Sequence, residues 1–280
     1  MRGTCLCGDV VWEVEGPGEL VHHCHCGMCR KVHGTPFATA GGFAEASFRF
    51  ARGQESVRRF ESSQGTWRRF CGRCGSSVPG DASGGLVFVS FGGLVDDPGG
   101  RPLAHIFVAS KAPWHEIEDE LPCFDAYPPV YDTPQPIARD VPRASLGTIG
   151  GSCLCAAVAY EFSGPVDAWH ECYCSRCRRA RQAAHASNLF IAQDRFVWTR
   201  GQDLVDSFKL PEAARFGQSF CRVCGGKLPR VNPQLGFVAI PAGSLDDDPG
   251  ARPRSQIFVG SRAAWAEPKK GLPAYAEMPS

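Results

Sequence analysis

The chain reads as a mostly β protein made of small antiparallel sheets in two tandem units stapled by metal. Three observations carry that expectation: an internal repeat that spans the sequence, fifteen cysteines grouped in closely spaced sets, and short apolar runs punctuated by Gly and Pro. No segment shows a long, capped 3.6-residue period that would argue for a substantial helix.

The repeat comes first. Gly3-Thr-Cys5-Leu-Cys7 returns as Gly151-Ser-Cys153-Leu-Cys155, and Cys24-His-Cys26-Gly-Met-Cys29 returns as Cys172-Tyr-Cys174-Ser-Arg-Cys177, both displaced by 148. Phe70-Cys71-Gly-Arg-Cys74-Gly75 returns as Phe220-Cys221-Arg-Val-Cys224-Gly225 at 150. Asp96-Asp97-Pro98, Ile106-Phe107-Val108, Trp114 and Leu121-Pro122 all have counterparts at 151. An offset that drifts by three residues means that loops changed length while the skeleton stayed. Residues 125–147 hold Pro128, Pro129, Pro134, Pro136 and Pro142 and read as an extended linker. The predicted domains are therefore residues 1–124 and 148–280, each long enough to bury a core.

The elements follow in order. Residues 10–15 alternate and are β-branched, which predicts a strand, and residues 158–162 repeat it. Residues 47–50, 86–91 and 105–108 predict further short strands, and residues 30–33 a single helical turn. Thirty basic and 29 acidic residues nearly cancel, and no basic stripe with interleaved aromatics appears, so nucleic acid is not an expected partner. No apolar run approaches the 18 or so residues that span a bilayer, and the first residues carry no apolar h-region, so the expected setting is cytoplasmic, without membrane. In a reducing compartment, close-spaced cysteines hold metal more readily than each other.

Seven cysteines per unit divide into four plus three. Cys5 and Cys7 with Cys71 and Cys74, and likewise Cys153 and Cys155 with Cys221 and Cys224, make tetrathiolate sets of the kind that close structural zinc sites. Each set closes a loop of more than 60 residues. Cys24, Cys26 and Cys29, and likewise Cys172, Cys174 and Cys177, leave a fourth position open to water or substrate. The competing assignment makes His23, His25 or His33 the fourth ligand. In the second unit, however, Tyr173 stands at the place of His25, Gln182 and Ala183 lie near the counterpart of His33, and His170 is the one nearby imidazole. Sulfur ligands alone also admit iron. Three thiolates leave a zinc site at a formal charge of −1, poor for making hydroxide and suited to a soft incoming thiol. Arg30 and Lys31, and Arg176, Arg178, Arg179 and Arg181, crowd the same knuckles as counter-charges or as grips for carboxylates. Cys123 faces Ala274 in the repeat and is expected to be a plain free thiol.

This ordered set of motifs, with the tail residues Asp96-Asp97-Pro98, His105-Ile106 and Trp114, resembles the glutathione-dependent formaldehyde-activating enzyme family, which includes centromere protein V. The likeness covers nearly all of both units. It implies a β-tent zinc fold, carbon–sulfur lyase classification and two zinc ions per domain, four per chain. By that likeness the tetrathiolate sets hold structural zinc and the triplets hold the second, catalytic one. The implied partners are a small thiol such as glutathione and a small aldehyde. Unit two departs from the pattern: Ala156 replaces Gly8, Tyr173 replaces His25, Gly226 replaces Ser76 and Gln256 replaces His105. His25 is the candidate acid/base, next to the catalytic set Cys24, Cys26 and Cys29, and only the first unit is expected to keep the ancestral chemistry. The rival readings are a zinc-ribbon-like binding module and a metal-stapled scaffold without catalysis.

Overall fold

In a computed structural model, which describes residues 1–128 and 135–279, short strands follow one another with two brief helices between them. The first half runs β1 (Arg2–Thr4), β2 (Val11–Val14), β3 (Glu19–Cys24), α1 (Gly27–His33), β4 (Ala38–Ala44), β5 (Phe48–Arg52), β6 (Val57–Ser63), β7 (Thr66–Cys71), β8 (Ser77–Val78), β9 (Leu86–Ser90), β10 (Ala104–Ile106) and β11 (Cys123–Phe124). The second half runs β12 (Ile149–Ser152), β13 (Ala159–Phe162), β14 (Ala168–Cys172), α2 (Ser175–Arg181), β15 (Ala186–Ala192), β16 (Phe196–Arg200), β17 (Val205–Lys209), β18 (Gly217–Cys221), β19 (Lys227–Leu228), β20 (Arg230–Asn232), β21 (Phe237–Pro241) and β22 (Ser255–Ile257).

Each half folds into three corresponding sheets, the five-stranded ones sharing four strands and differing in the fifth, at opposite edges. Their orders are β1-β2-β5, β6-β7-β8 and β11-β10-β3-β4-β9 in the first half, and β12-β13-β16, β17-β18-β19 and β20-β21-β15-β14-β22 in the second. The chain is mostly β, as the punctuated apolar runs predict. The five-stranded sheets are mixed rather than purely antiparallel, because β10 runs parallel to β3 and β11, and β22 runs parallel to β14. That parallel pairing sets Ile106 beside Cys24 and Ile257 beside Cys172, tying the tail of each half to the strand that enters the cysteine knuckle. Of the proline-rich segment, Pro129 and Pro134 lie outside the described residues. Pro136 bridges to Ser63, and the Arg139 guanidinium lies 5.3 Å over the Phe60 ring, so this part of the segment runs along β6.

The halves do not keep separate cores. Ala112 and Trp114, in the tail of the first half, are buried among Tyr160, Phe162, Trp169 and Leu189 of the second, with the Trp114 and Trp169 rings 5.2 Å apart. Reciprocally, Trp265 and Ala266 are buried with Phe43, Phe91 and Leu94 of the first half, and Trp265 meets Phe91 edge-on at 5.6 Å. The helices cross over too. Val32 of α1 packs on Cys153, Cys221 and Cys224, and Ala180 of α2 packs in the cluster that holds Cys5, Cys71 and Cys74. Apolar burial, the main favourable term in folding, is thus spent across the junction as well as within each half.

Candidate metal centres

The tetrathiolate sets are built by two turns brought together. The chain leaves β1, passes Cys5 and Cys7 and turns at Gly8, whose φ is +78°. Ala156 keeps the same left-handed conformation at φ +59° without the freedom of glycine, a strain of about 1 kcal/mol or more. The second turn leaves β7 at Cys71, where Gly75 N–H donates to the Cys71 carbonyl at 2.8 Å and Cys71 N–H to the Ser76 carbonyl at 2.9 Å. Cys221 and Gly225 repeat that turn at 2.9 Å. All four sulfurs of Cys5, Cys7, Cys71 and Cys74 lie within 4.8 Å of one another, as do those of Cys153, Cys155, Cys221 and Cys224.

The spacing fits a metal. Cys5 and Cys7 sulfurs are 3.4 Å apart and Cys7 and Cys71 sulfurs 3.7 Å; the matching distances in the second half are 3.4 and 3.9 Å. Four sulfurs at about 2.3 Å from a tetrahedral zinc stand about 3.8 Å from each other, whereas a disulfide would bring two of them to about 2 Å. Crowding is costly without a cation. Hydrogen bonding to the neighbouring sulfurs of Cys7 and Cys71 favours the protonated Cys5 thiol and pushes it up, and Cys155 and Cys221 do the same to Cys153.

The triplets are built at helix starts. Cys26 is the N-cap of α1, and its sulfur accepts from Cys29 N–H at 3.3 Å; Cys174 caps α2 and accepts from Cys177 N–H at 3.4 Å. Cys24 and Cys172 arrive from the ends of β3 and β14, and each three-sulfur group lies within 4.8 Å. Among the described residues no fourth Cys, His, Asp or Glu ligand atom joins either group. Each imidazole that competes for that place is engaged elsewhere through one ring nitrogen. His33 Nδ1 donates to the Arg181 carbonyl at 2.7 Å, His23 Nδ1 pairs with Thr39 Oγ1 at 2.8 Å, His25 Nε2 pairs with His105 Nδ1 at 2.8 Å, and His170 Nδ1 pairs with Ser255 Oγ at 2.7 Å. The helix register fixes the counterpart of His33 as Arg181, with Gln182 and Ala183 directly after it, because α1 ends at His33 and α2 at Arg181.

Arg68 is the residue that spacing did not single out. Its guanidinium reaches the Cys29 sulfur at 3.6 Å. Burial alone would disfavour the cation, yet the thiolates of Cys29, Cys26 and Cys24 hold it well above the ordinary arginine value. Its counterpart is Gln218, whose amide instead donates to the Cys74 carbonyl of the other half. Two of the basic residues of the knuckles serve the junction. Lys31 donates to Ser152 and pairs with Asp246 at 2.6 Å, and Arg178 donates to the Leu94 carbonyl at 3.1 Å.

Behind the first knuckle lies a chain of rings. Asp119 accepts from His105 Nε2–H at 3.0 Å, which leaves His105 Nδ1 to accept from His25 Nε2–H. His25 Nδ1 is therefore an unprotonated nitrogen, and it is buried without a partner. Burial, then the neighbouring His105, depresses the His25 imidazole to about 3. In the second half Tyr173 hydroxyl donates to Gln256 Oε1 at 3.1 Å, so both members of the pair changed together. Cys123 is exposed on β11, opposite His105 and remote from the sulfur groups.

A model of the glutathione-dependent formaldehyde-activating enzyme family matches residues 1–110 and again 148–261. The crystal structure of a Rhodobacter sphaeroides protein is 25% identical, covering 35% of this chain and 90% of that one, with a TM-score of 0.31. No curated protein matches. With both halves matched from their first cysteine pair to beyond the parallel tail strand, the chain belongs to the glutathione-dependent formaldehyde-activating enzyme family.

Proposed function

We propose that the protein is a zinc-dependent carbon–sulfur lyase-type enzyme acting on adducts of a small thiol, such as glutathione, with a small aldehyde, such as formaldehyde. In this reading Cys5, Cys7, Cys71 and Cys74, with Cys153, Cys155, Cys221 and Cys224, hold two structural zinc ions. Cys24, Cys26 and Cys29, with Cys172, Cys174 and Cys177, hold two more. The carrying observation is the count of three: each triplet gathers three sulfurs, and the neighbouring imidazoles are turned to other partners. The reducing setting that keeps fifteen thiols free is the cytoplasm. No helix among the described residues is long and apolar enough to cross a membrane.

When bound at a triplet, zinc supplies a Lewis-acidic seat for a sulfur donor and makes a thiol easier to deprotonate there. The protein's own groups do the rest. Arg68 offsets the negative charge of the first triplet at Cys29. Asp119 and His105 fix the tautomer of His25, leaving its Nδ1 lone pair as the acceptor for the proton a thiol gives up, a weak base because burial holds the imidazole at about 3. In the forward direction an S–C bond forms at the carbonyl carbon, the S–H bond breaks, and the proton ends on the former carbonyl oxygen. Only the first half carries Arg68, His25 and His105, and it is the half assigned the chemistry.

The test is metal content followed by thiol binding. Four zinc ions per chain, with cobalt substitution giving absorption bands that shift on adding glutathione, is the expected result. Two ions per chain, or bands indifferent to thiol, would leave a stapled scaffold and no catalyst.

A further inference from the structure

A cleft of about 460 Å³ opens between the two halves, and no cysteine lines it. That volume is within the roughly 300–1,000 Å³ of small-molecule sites. We propose that this cleft, whose wall also includes the His105–Asp119 pair behind the first knuckle but none of the cysteines, is a second binding site for a compact organic amine with a flat apolar body.

The floor supplies the first argument. His115 and His185 line the cleft, and each is only 3% exposed. The Nδ1 atom of each is buried without a hydrogen-bond partner, a condition that costs about 1–3 kcal/mol per group. Burial depresses both imidazoles, so the rings stay uncharged and retain a lone pair for a ligand N–H. The walls supply the second. Phe37, Tyr173 and Trp265 face the space, with Phe37 edge-on to His185 at 6.0 Å and the Tyr173 ring 4.9 Å from His185. Aromatic faces hold a flat body and attract a cation.

The mouth decides the sign of charge. Glu116, Glu118 and Glu267 are exposed there and, among the described residues, make no hydrogen bond or ion pair, although Glu267 lies close enough to Arg101 to act on its charge. The cations at the same rim are mostly committed. Arg101 is paired with Asp97 at 2.8 Å and Lys269 with Glu171 at 3.0 Å, which leaves Lys270. Asp119 is held by His105. The uncommitted rim is thus three carboxylates against one lysine.

This site does not belong to a single copy of the repeat. His115, Phe37, Glu116 and Glu118 come from the first half, while His185, Tyr173, Trp265 and Glu267 come from the second. Nor is it a doubled ancestral feature. The counterpart of His185 is Phe37, that of His115 is Ala266, and that of Tyr173 is His25. Crossing of the tails made the space, and later divergence furnished it.

The test titrates the zinc-loaded full chain with benzylamine, benzyl alcohol and benzoate by calorimetry. Benzylamine should saturate and bind at least about tenfold tighter than either of the others. The exposed-site double variant Glu118→Gln/Glu267→Gln, and separately His185→Phe, which places the counterpart residue there, should each weaken benzylamine about tenfold with the melting temperature unchanged. Absence of saturable benzylamine binding, equal or tighter binding of benzoate or benzyl alcohol, or full affinity in the double variant would overturn the proposal.

Discussion

His25 and Tyr173 occupy the same place in the two halves and bond to His105 and Gln256, which also occupy one place. Two imidazoles stand in the first half where the second has a phenol, whose hydroxyl burial raises above its ordinary value, bonded to an amide. In assays with glutathione and formaldehyde, His25→Ala should lower kcat/KM by about 10²-fold or more, the scale of a lost acid/base. Tyr173→Ala should change it by less than about threefold; equal losses would remove the asymmetry between the halves. The four-plus-three division of the cysteines was legible from spacing alone, because ligands for one ion recur in short motifs. Arg68 was not legible. It stands three residues before Cys71 in an ordinary strand, and only the pleat of β7 against β6 carries it to Cys29 of another element.

At the scale of elements, the tightest joints are two short turns, Phe91–Gly93 and Ala242–Ser244, on which α2 and α1 rest. A Cβ at Gly92 would stand 2.1 Å from the Ala183 nitrogen, and one at Gly243 would stand 2.3 Å from the Arg30 carbonyl oxygen. Both obstacles are backbone and cannot swing aside. Gly92→Ala and Gly243→Ala should each destabilise the zinc-loaded protein by about 1–3 kcal/mol, read as a lower denaturation midpoint. Gly27→Ala, where nothing stands nearer than 3.8 Å, is the control and should be close to neutral. Strands such as β2, Val-Trp-Glu-Val, and β13, Ala-Tyr-Glu-Phe, were readable, since each is a short apolar run broken by a single glutamate, the one residue of the four that is not buried. The strand β4, Ala-Thr-Ala-Gly-Gly-Phe-Ala, was not, because its small residues carry no β signal and are chosen for the ring of Phe91 packed beside Gly41. The parallel ladders escaped too, for they join residues some 80 apart with no local mark.

For the whole molecule, the exchanged tails are the feature with the widest effect. Trp114 is 2% exposed, yet its slot lies in the other half. Losing such a side chain costs about 3–5 kcal/mol, a large share of the stability of a domain. Residues 1–124 expressed alone should therefore fail to give a cooperative, monomeric fold, and mixing them with residues 148–280 should restore one, as followed by size-exclusion chromatography and near-ultraviolet dichroism. A first half that melts cooperatively as a monomer would contradict this. The repeat itself was plain in the sequence, and it also carried the matched Trp114 and Trp265. What the repeat concealed was that each tryptophan serves its neighbour, since a periodic sequence is equally consistent with beads on a string and with interlocked copies.

Interlocking on one chain has a lasting effect on how the copies can change. Were the repeat a free subunit, every mutation would be displayed twice, once on each side of the same axis, and a useful change on one side would be forced on the other. The fusion ends that obligation, because a copy bound to its sister by a tether and a pair of crossed tails never meets its twin. One copy can then carry a tyrosine at the place where the other carries a histidine, as Tyr173 and His25 do.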